Sequence, residues 1–312
     1  MTSKNIGWEL YRSFLAVLRE GSLSGAARAL GITQPTAGRH VAALEEALGV
    51  VLFTRSQVGL MPTEVALALQ GHAEAMESTA ASLARAATSQ GEGVRGVVRV
   101  SASEVIGVEV LPPIVARLRE QHPALKVELV ATNRVQDLLR READIAVRMM
   151  RPRQEQLVAR RIGQIELGFH AHKDYLARHG TPRKLEELAA HSVIGYDQPS
   201  AFVRNAGKSL KGFNRETFSL RTDNDLAQLA LIRAGAGIGI CQVGLALRNE
   251  ALVRLVPRTF SLKLETWVTM HEDLRNSPRC RAAFDALVDG LRQYIGSQAQ
   301  AKMGRARTQA SE

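Results

Sequence analysis

Ten consecutive residues, Ile32 to Val41 (ITQPTAGRHV), gather side chains suited to reading a nucleic acid, around a proline and a glycine that usually end helices. Gln34 carries an amide that pairs bidentately with adenine. Arg39 carries a guanidinium that grips guanine or clamps a phosphate, and Thr36 and His40 add further polar groups. Pro35 is harmless in a first helical turn, where the backbone N–H groups have no partner within the helix, and Thr33 is a good cap for that turn. With Thr33 as cap, Ala37, Val41, Leu44 and Leu48 step by four, three and four and form one apolar face. Gln34, Thr36, Arg39 and His40 are then expected to project outward. Taken singly, such residues are ordinary solvated polar groups, so the frame around them decides their meaning.

That frame reads as a tri-helical unit. Residues 8–20, WELYRSFLAVLRE, place Leu10, Phe14, Val17 and Leu18 at helical spacing, and Gly21 closes the helix. Ser24 is expected to cap a short second helix, GAARAL, whose Ala26, Ala27 and Ala29 permit a close crossing. Gly31 makes the turn and Ile32 plugs it, which completes a helix-turn-helix. VVLFT and GLMPT flank the turn-like RSQV and read as a two-stranded wing. Thr63 then caps a long helix reaching about Ser89, with Glu64 at its positive end. Leu69, Ala73, Met76, Ala80, Leu83 and Ala87 alternate by four and three along it, a seam for pairing with a second copy of the helix.

Beyond the linker SQGEGVRG (89–96) the pattern changes to strands alternating with helices. VVRVSA, KVELVA and DIAVRM read as strands, with helices at LPPIVARLREQHP and VQDLLRREA between them, the rhythm of a parallel sheet. IELGFHAH opens another strand region, LAQLALIRAGAGIGICQ runs from helix to strand, LETWVTMHE is a strand and RCRAAFDALVDGLRQYI a closing helix. Residues 297–312 are small and polar and are expected to be a disordered tail.

Bulk properties remove several classes of function. The net charge is +10, yet residues 1–90 hold seven basic and seven acidic side chains, so charge alone does not locate a nucleic-acid site. No apolar run reaches the roughly 18 residues that span a bilayer, and no secretory leader opens the chain, so a cytoplasmic protein is expected. Cys241 and Cys280 are in no metal or redox spacing. GAGIG (235–239) follows a helix and precedes a strand, the reverse of a dinucleotide fingerprint. HAH (170–172) aligns two imidazoles but brings no third metal ligand. With no Ser/His/Asp or paired-carboxylate arrangement, no catalytic residue, metal or cofactor is expected and an enzyme is not the reading.

FLAVLREGSLSGAARALGITQPTAGRHVAALEEALGVVLFTR resembles the winged helix-turn-helix of the LysR-type transcriptional regulators. The shared features are a Gly-Ser-hydrophobic turn, an Ala-Ala helix, a Thr-Gln-Pro start, a Leu-Glu-x-x-Leu-Gly close and a Leu-Phe-x-Arg wing. MPTEVA is similar to the family's entry to its linker helix. LPPIVARLREQHPALKVEL, ADIAVR, AGAGIGI and HEDLRNSPRCRAAFDAL resemble successive parts of its sensing domain. The resemblance covers about 8–296. It implies an N-terminal all-α winged helix-turn-helix with a long linker helix and a C-terminal α/β two-lobed, periplasmic-binding-protein-like effector domain. The boundaries expected are 1–66 for DNA binding, 63–90 for the dimerising linker helix and 91–296 for the effector domain. Its lobes are about 94–163 with 264–296, and about 164–263.

On that resemblance Gln34, Pro35 and Arg39 contact promoter DNA and Arg55 of the wing reaches the backbone or minor groove; Thr33, Thr36, Gly38 and His40 belong to the same surface. The family commonly has a serine where this chain has Gly38, and that hydroxyl would hold a phosphate. The partners implied are double-stranded DNA, a small-molecule effector, a second copy through the linker helix, a homotetramer and RNA polymerase. Ligands of such folds bind outside the carboxyl ends of parallel strands and near helix N-termini. That places Ser101, Ser103, Glu104, Thr132 and Asn133 of one lobe opposite Thr222, Asp223 and Asn224 of the other, with Glu104 and Asp223 pointing to a cationic or polyhydroxyl ligand. The rival readings are a solute-binding protein that uses only the two-lobed half, and a redox sensor acting through Cys241 and Cys280.

Overall fold

The computed structural model describes residues 6–56, 59–87, 93–133, 138, 142–152, 156–198 and 213–309. The chain divides into two compact units, one of Met1–Ala87 and one of Thr88–Leu139 with Ala143–Glu312.

The first unit consists of α1 (Trp8–Glu20), α2 (Leu23–Leu30), α3 (Gln34–Leu48), the hairpin β1 (Phe53–Ser56) and β2 (Gly59–Pro62), and α4 (Glu64–Ala87). Phe14, Leu15, Val17, Ala26, Val41, Leu44, Leu52 and Phe53 form its core, with the Phe14 and Phe53 rings 5.8 Å apart. Each large side chain buried in this way contributes about 1.5–3 kcal/mol relative to exposure. The cap of α2 is Ser22, not Ser24. Ser22 has the extended backbone a cap requires and its Oγ accepts from the Gly25 N–H at 3.1 Å, whereas Ser24 is already inside the helix.

The Leu-Glu-x-x-Leu-Gly close of α3 has a clear physical role. Leu44 fills the core, while the Glu45 carboxylate accepts the backbone N–H of Leu52 at 2.7 Å and of Phe53 at 3.2 Å, which fixes where the wing begins. Gly59 sits at φ +126°, and a Cβ there would lie 2.8 Å from the Gly21 carbonyl oxygen, so this wing position is restricted to glycine. Thr63 caps α4 as expected, accepting from the Ala66 N–H and donating to the Val51 carbonyl. The seam along α4 is divided: Ala73 and Leu69 pack into the core of their own unit, and Met76, Ala80 and Leu83 are exposed. The first part is spent because α1 packs alongside α4, with an Arg19–Glu77 ion pair between them.

The second unit contains β3 (Gly96–Ala102), a π-helical turn at Ile106–Val110, α5 (Leu111–Gln121), β4 (Leu125–Ala131), β5 (Ile145–Arg148), β6 (Leu157–His172) and α6 (Lys173–His179). It continues with β7 (Ile194–Gly195), β8 (Leu220–Arg221), α7 (Asp225–Arg233), β9 (Gly239–Gln242), α8 (Val243–Ala246), β10 (Leu252–Leu255), β11 (Leu262–His271) and α9 (Pro278–Gln309). β3 pairs in parallel with β4 and β5, as the alternating pattern requires. β6 and β11 run antiparallel along each other. β11 also joins β5 on one side, and β6 joins β9 and β10, so these two strands pass through both lobes. Their register shifts between Thr266 and Trp267, next to the Thr266↔Gly163 pairing.

β6 starts eight residues before the expected IELGFHAH, at Leu157. Its first half is largely exposed and carries Arg160 and Arg161, so it lacks the apolar signal of a buried strand. Most of the helix expected at VQDLLRREA and residues 89–92 of the 89–96 linker lie outside the described residues. The closing helix continues to Gln309 instead of stopping near 296. Residues 298–309 are rich in Ala, Gln, Lys, Met and Arg, all good helix formers, which accounts for the extension. GAGIG joins α7 to β9, and Gly237 approaches so closely that a Cβ there would clash with the Ser192 carbonyl oxygen.

Candidate functional site

Two polar surfaces carry the residues singled out in the sequence. The first is the front of α3. Thr33 caps the helix from an extended backbone, its Oγ1 accepting from the Thr36 N–H at 3.3 Å, and Gln34 and Pro35 occupy the first turn. Ala37, Val41 and Leu44 are buried, so Gln34, Pro35 and Arg39 face solvent with Thr36 between them. The Thr33 and Thr36 hydroxyl oxygens are 2.8 Å apart, and Arg39 Nη2 donates to Thr36 Oγ1 at 3.4 Å. Arg55 is exposed on β1, opposite Leu60.

Gly38 is half-buried, and a Cβ added there would meet only Leu23 Cδ1, at an ordinary 3.6 Å. The glycine is therefore not forced by packing. His40 departs from expectation. Its Nδ1 lies 2.8 Å from the Oγ of Ser13, a fully buried residue of α1. The imidazole is tied to the neighbouring helix instead of projecting with Gln34 and Arg39, because residue 40 lies between the outward and core-facing sides of α3.

The second surface is the seam between the lobes, at the carboxyl ends of β3, β4 and β7. Glu104 follows β3; its N–H donates to Asn133 Oδ1 at 3.2 Å and its carboxylate accepts from Asn224 Nδ2 at 3.2 Å. Asn133 Nδ2 donates to Asp225 Oδ2 at 2.7 Å, and the Tyr196 hydroxyl donates to Asp225 Oδ1 at 2.9 Å. Glu104 and Asn133 of one lobe thus meet Asn224 and Asp225 of the other. Burial, and then the nearby Asp225 charge, hold the Glu104 carboxyl above the usual carboxylate range. The same two causes push the Tyr196 hydroxyl far above the usual phenol range. Among the described residues no ion pair reaches either carboxylate.

Several residues expected in this cleft have other duties. Ser101 is fully buried and its Oγ accepts from Arg148 Nη2 at 2.7 Å. Asp223 accepts the N–H groups of Asp197 and Gln198, each at 2.9 Å, and so holds a turn of its own lobe. Asn224 is also the cap of α7, accepting from the Ala227 N–H, and the Thr222 hydroxyl accepts from the Asn224 N–H. Ser103 and Thr132 line the strand ends, each half-buried, with the Ser103 carbonyl accepting from the Gly107 N–H. Asp225, Tyr196 and Arg148 were missed. Tyr196 and Arg148 follow from the strand-end rule once it is applied to β7 and β5 as well, and Asp225 is the next residue after the expected helix-start set. Arg148 closes β5, and burial lowers its guanidinium to about 10.

The lobes also meet at a second, differently built seam. Glu109 accepts from both terminal nitrogens of Arg233, at 2.7 and 2.8 Å, and the Glu109 carbonyl accepts from Arg248 at 3.0 Å. The Arg233 hydrogen bonds hold the Glu109 carboxyl below its ordinary range.

The cysteine and histidine motifs have structural explanations. Burial pushes the Cys241 thiol up to about 12, so the nucleophilic thiolate is suppressed, and Cys280 is fully buried. His170 is buried beside Cys241, and its Nδ1 lies 2.8 Å from the Gly168 carbonyl, which requires the hydrogen on that nitrogen. His172 caps α6, accepting from the Asp174 N–H. Among the described residues no three His, Cys, Asp or Glu side chains come together as a metal site, and no helix is long and apolar enough to cross a membrane.

Comparison with known proteins agrees with this organisation. Residues 8–67 match the model of the bacterial regulatory helix-turn-helix proteins of the lysR family, and residues 91–292 match the LysR substrate binding domain. The regulator CrgA of Neisseria meningitidis serogroup C is 31% identical over 188 residues, a stretch covering 60% of this chain and 63% of that protein. The mau operon transcriptional activator of Paracoccus denitrificans is 27% identical, across 88% of this chain and 93% of its own. Among solved structures, full-length CbnR complexed with its target DNA has a TM-score of 0.61 at 23% identity, covering 92% of this chain and 99% of that one. The Vibrio cholerae virulence activator AphB has a TM-score of 0.59 at 21% identity, covering 91% and 99%. These two similarities concern the fold. With both parts matched in order, the chain belongs to the LysR-type family of transcriptional regulators.

Proposed function

We propose that this regulator reads promoter DNA through Gln34, Pro35 and Arg39 of α3 with Arg55 of the wing, and that a small molecule held between its two lobes changes how it does so. The observation that carries the reading is the exposed, capped front of α3 on a fully packed tri-helical core. In this arrangement α4 pairs two chains through its exposed Met76, Ala80 and Leu83. Two recognition helices then meet successive major-groove turns about 34 Å apart. Further association of sensing domains to a tetramer, and contact with RNA polymerase, belong to the same reading.

The ligand site we assign is the seam of Ser103, Glu104, Thr132 and Asn133 against Thr222, Asn224 and Asp225, with Tyr196 and Arg148 at its edges. A ligand entering it replaces the Glu104–Asn224 and Asn133–Asp225 hydrogen bonds with its own. It shifts the balance of lobe arrangements only by binding one of them better than the other. The arginine seam at Glu109 keeps the lobes joined during that exchange.

The test is binding to the DNA upstream of the protein's own gene, followed by fluorescence anisotropy over a range of salt. Specific binding whose logarithm falls linearly with the logarithm of salt is expected. Equal affinity for that DNA and for a random duplex contradicts the reading.

A further inference from the structure

We infer that Thr36 is a positioning residue: it orients the Arg39 guanidinium for base reading. The inference rests on the reading of Arg39 as a base contact and follows from the polarity of three hydroxyl and guanidinium groups at the start of α3. Arg39 Nη2 lies 3.4 Å from Thr36 Oγ1, and a guanidinium has only hydrogens to give, so Thr36 is the acceptor there. The Thr36 and Thr33 oxygens are 2.8 Å apart, so one hydroxyl donates to the other. Thr33 Oγ1 already accepts from the Thr36 N–H as the helix cap. The Thr36 oxygen thus touches both the Arg39 guanidinium and the Thr33 hydroxyl, and either hydroxyl serves as the donor of the second contact. The contacts run from Arg39 to Thr36 to Thr33 and tie the guanidinium to the capped start of the helix.

Residues three apart share a helix face, so the contact between Thr36 and Arg39 is local and does not depend on any other element. Arginine is long and loses much rotamer freedom when fixed. A partner on its own helix, in place before DNA arrives, narrows the directions from which the guanidinium can approach a base edge. A bidentate contact requires that direction, whereas a phosphate clamp tolerates several.

The test uses the full-length protein to select duplexes from a random pool, with Thr36→Val, Thr36→Ser and Arg39→Ala beside the wild type. Thr36→Val keeps the shape of the side chain and the backbone N–H that Thr33 caps, and removes only the hydroxyl. Thr36→Val is expected to weaken preference about fivefold at the base pair whose preference Arg39→Ala abolishes, with the salt slope of binding unchanged. Thr36→Ser restores it. The inference is overturned if Thr36→Val leaves that preference intact, or lowers affinity uniformly while reducing the salt slope by about one, the signature of a lost phosphate contact. If Arg39→Ala itself changes no base preference, the reading of Arg39 fails first and the role of Thr36 falls with it.

Discussion

The front of α3 and the cleft between the lobes both place hydroxyls, amides and charges at a helix start, but they are assembled in opposite ways. The α3 surface comes from eight consecutive residues whose geometry is set by one cap and one apolar stripe. The cleft joins strand ends that are separated by up to about 120 positions in sequence, as in the Asn224–Glu104 hydrogen bond. Their electrostatics differ too. Arg39 and Arg55 are exposed and ready for an anion, whereas Glu104 and Asp225 face each other across the cleft with no ion pair among the described residues. On the proposed reading, the α3 surface needs only to be presented to its polyanion. On the same reading, a ligand of the cleft exchanges with the two asparagine bridges that join its sides.

If the two regions act separately, substitutions in one leave the other unmoved. The largest expected effect is in the sensing unit and comes from acid. Burial lowers His170 to about 4 from an ordinary 6.5, so below pH 6.5 the unfolded chain takes up a proton that the folded form refuses. Stability is therefore lost as pH falls from about 6.5 to about 4, by on the order of 3 kcal/mol from this group. Urea unfolding at pH 7 and pH 4.5 should show that loss for the wild type and a clearly smaller one for His170→Gln, which retains a donor toward Gly168.

Arg39→Ala comes next. It should remove about 1–3 kcal/mol of discrimination at one base pair, measured by competition between matched and mismatched duplexes. The thermal transition of the sensing unit should stay where it was. Glu109→Gln makes the converse case, since it strips Arg233 of its charged partner. Because that arginine is over a third exposed, solvent screening limits the expected loss to about 1 kcal/mol. The loss should appear in unfolding of the sensing unit, while base preference on DNA remains unchanged.

Two smaller effects sharpen the contrast. Gly38→Ser replaces a poor helix former where a Cβ meets nothing closer than 3.6 Å. A gain of about 0.5 kcal/mol in the first unit is expected, together with tighter and more salt-sensitive DNA binding through the added hydroxyl. Unchanged DNA affinity would show that the phosphate is held another way. Glu104→Gln keeps an acceptor for Asn224 and removes one of two facing carboxylates. Because that carboxyl titrates above its unfolded value, its contribution is complete at low pH and is lost as pH rises through its titration. Glu104→Gln should therefore stabilise the sensing unit by about 0.5 kcal/mol at neutral pH and do nothing at pH 3.

The same contrast explains what could be read from the residue order. Thr33, Pro35, Val41 and Gly49 signal α3 by local rules, and the structure places that helix at Gln34–Leu48 as those rules require. Ser22 displaced Ser24 as a cap because both have the right chemistry, and only the backbone entry angle distinguishes them. His40 was misplaced because its partner Ser13 is 27 residues away, on another helix. In the cleft, Glu104, Asn133 and Asn224 could be found from strand ends and caps. Asp225, one residue beyond the expected Thr222, Asp223 and Asn224, was not singled out, and Ser101 was included although its hydroxyl is committed to Arg148. Nothing in the sequence pairs Glu109 with Arg233, because that bond depends on how the lobes close.

Reading of DNA sequence by the front of α3 is measured by the ratio of affinities for a selected duplex and a random duplex, at one salt concentration, for wild type and Arg39→Ala. A wild-type ratio of roughly a thousand or more is expected, falling at least tenfold in the variant, while affinity for the random duplex changes little. Equal ratios for the two proteins would contradict it.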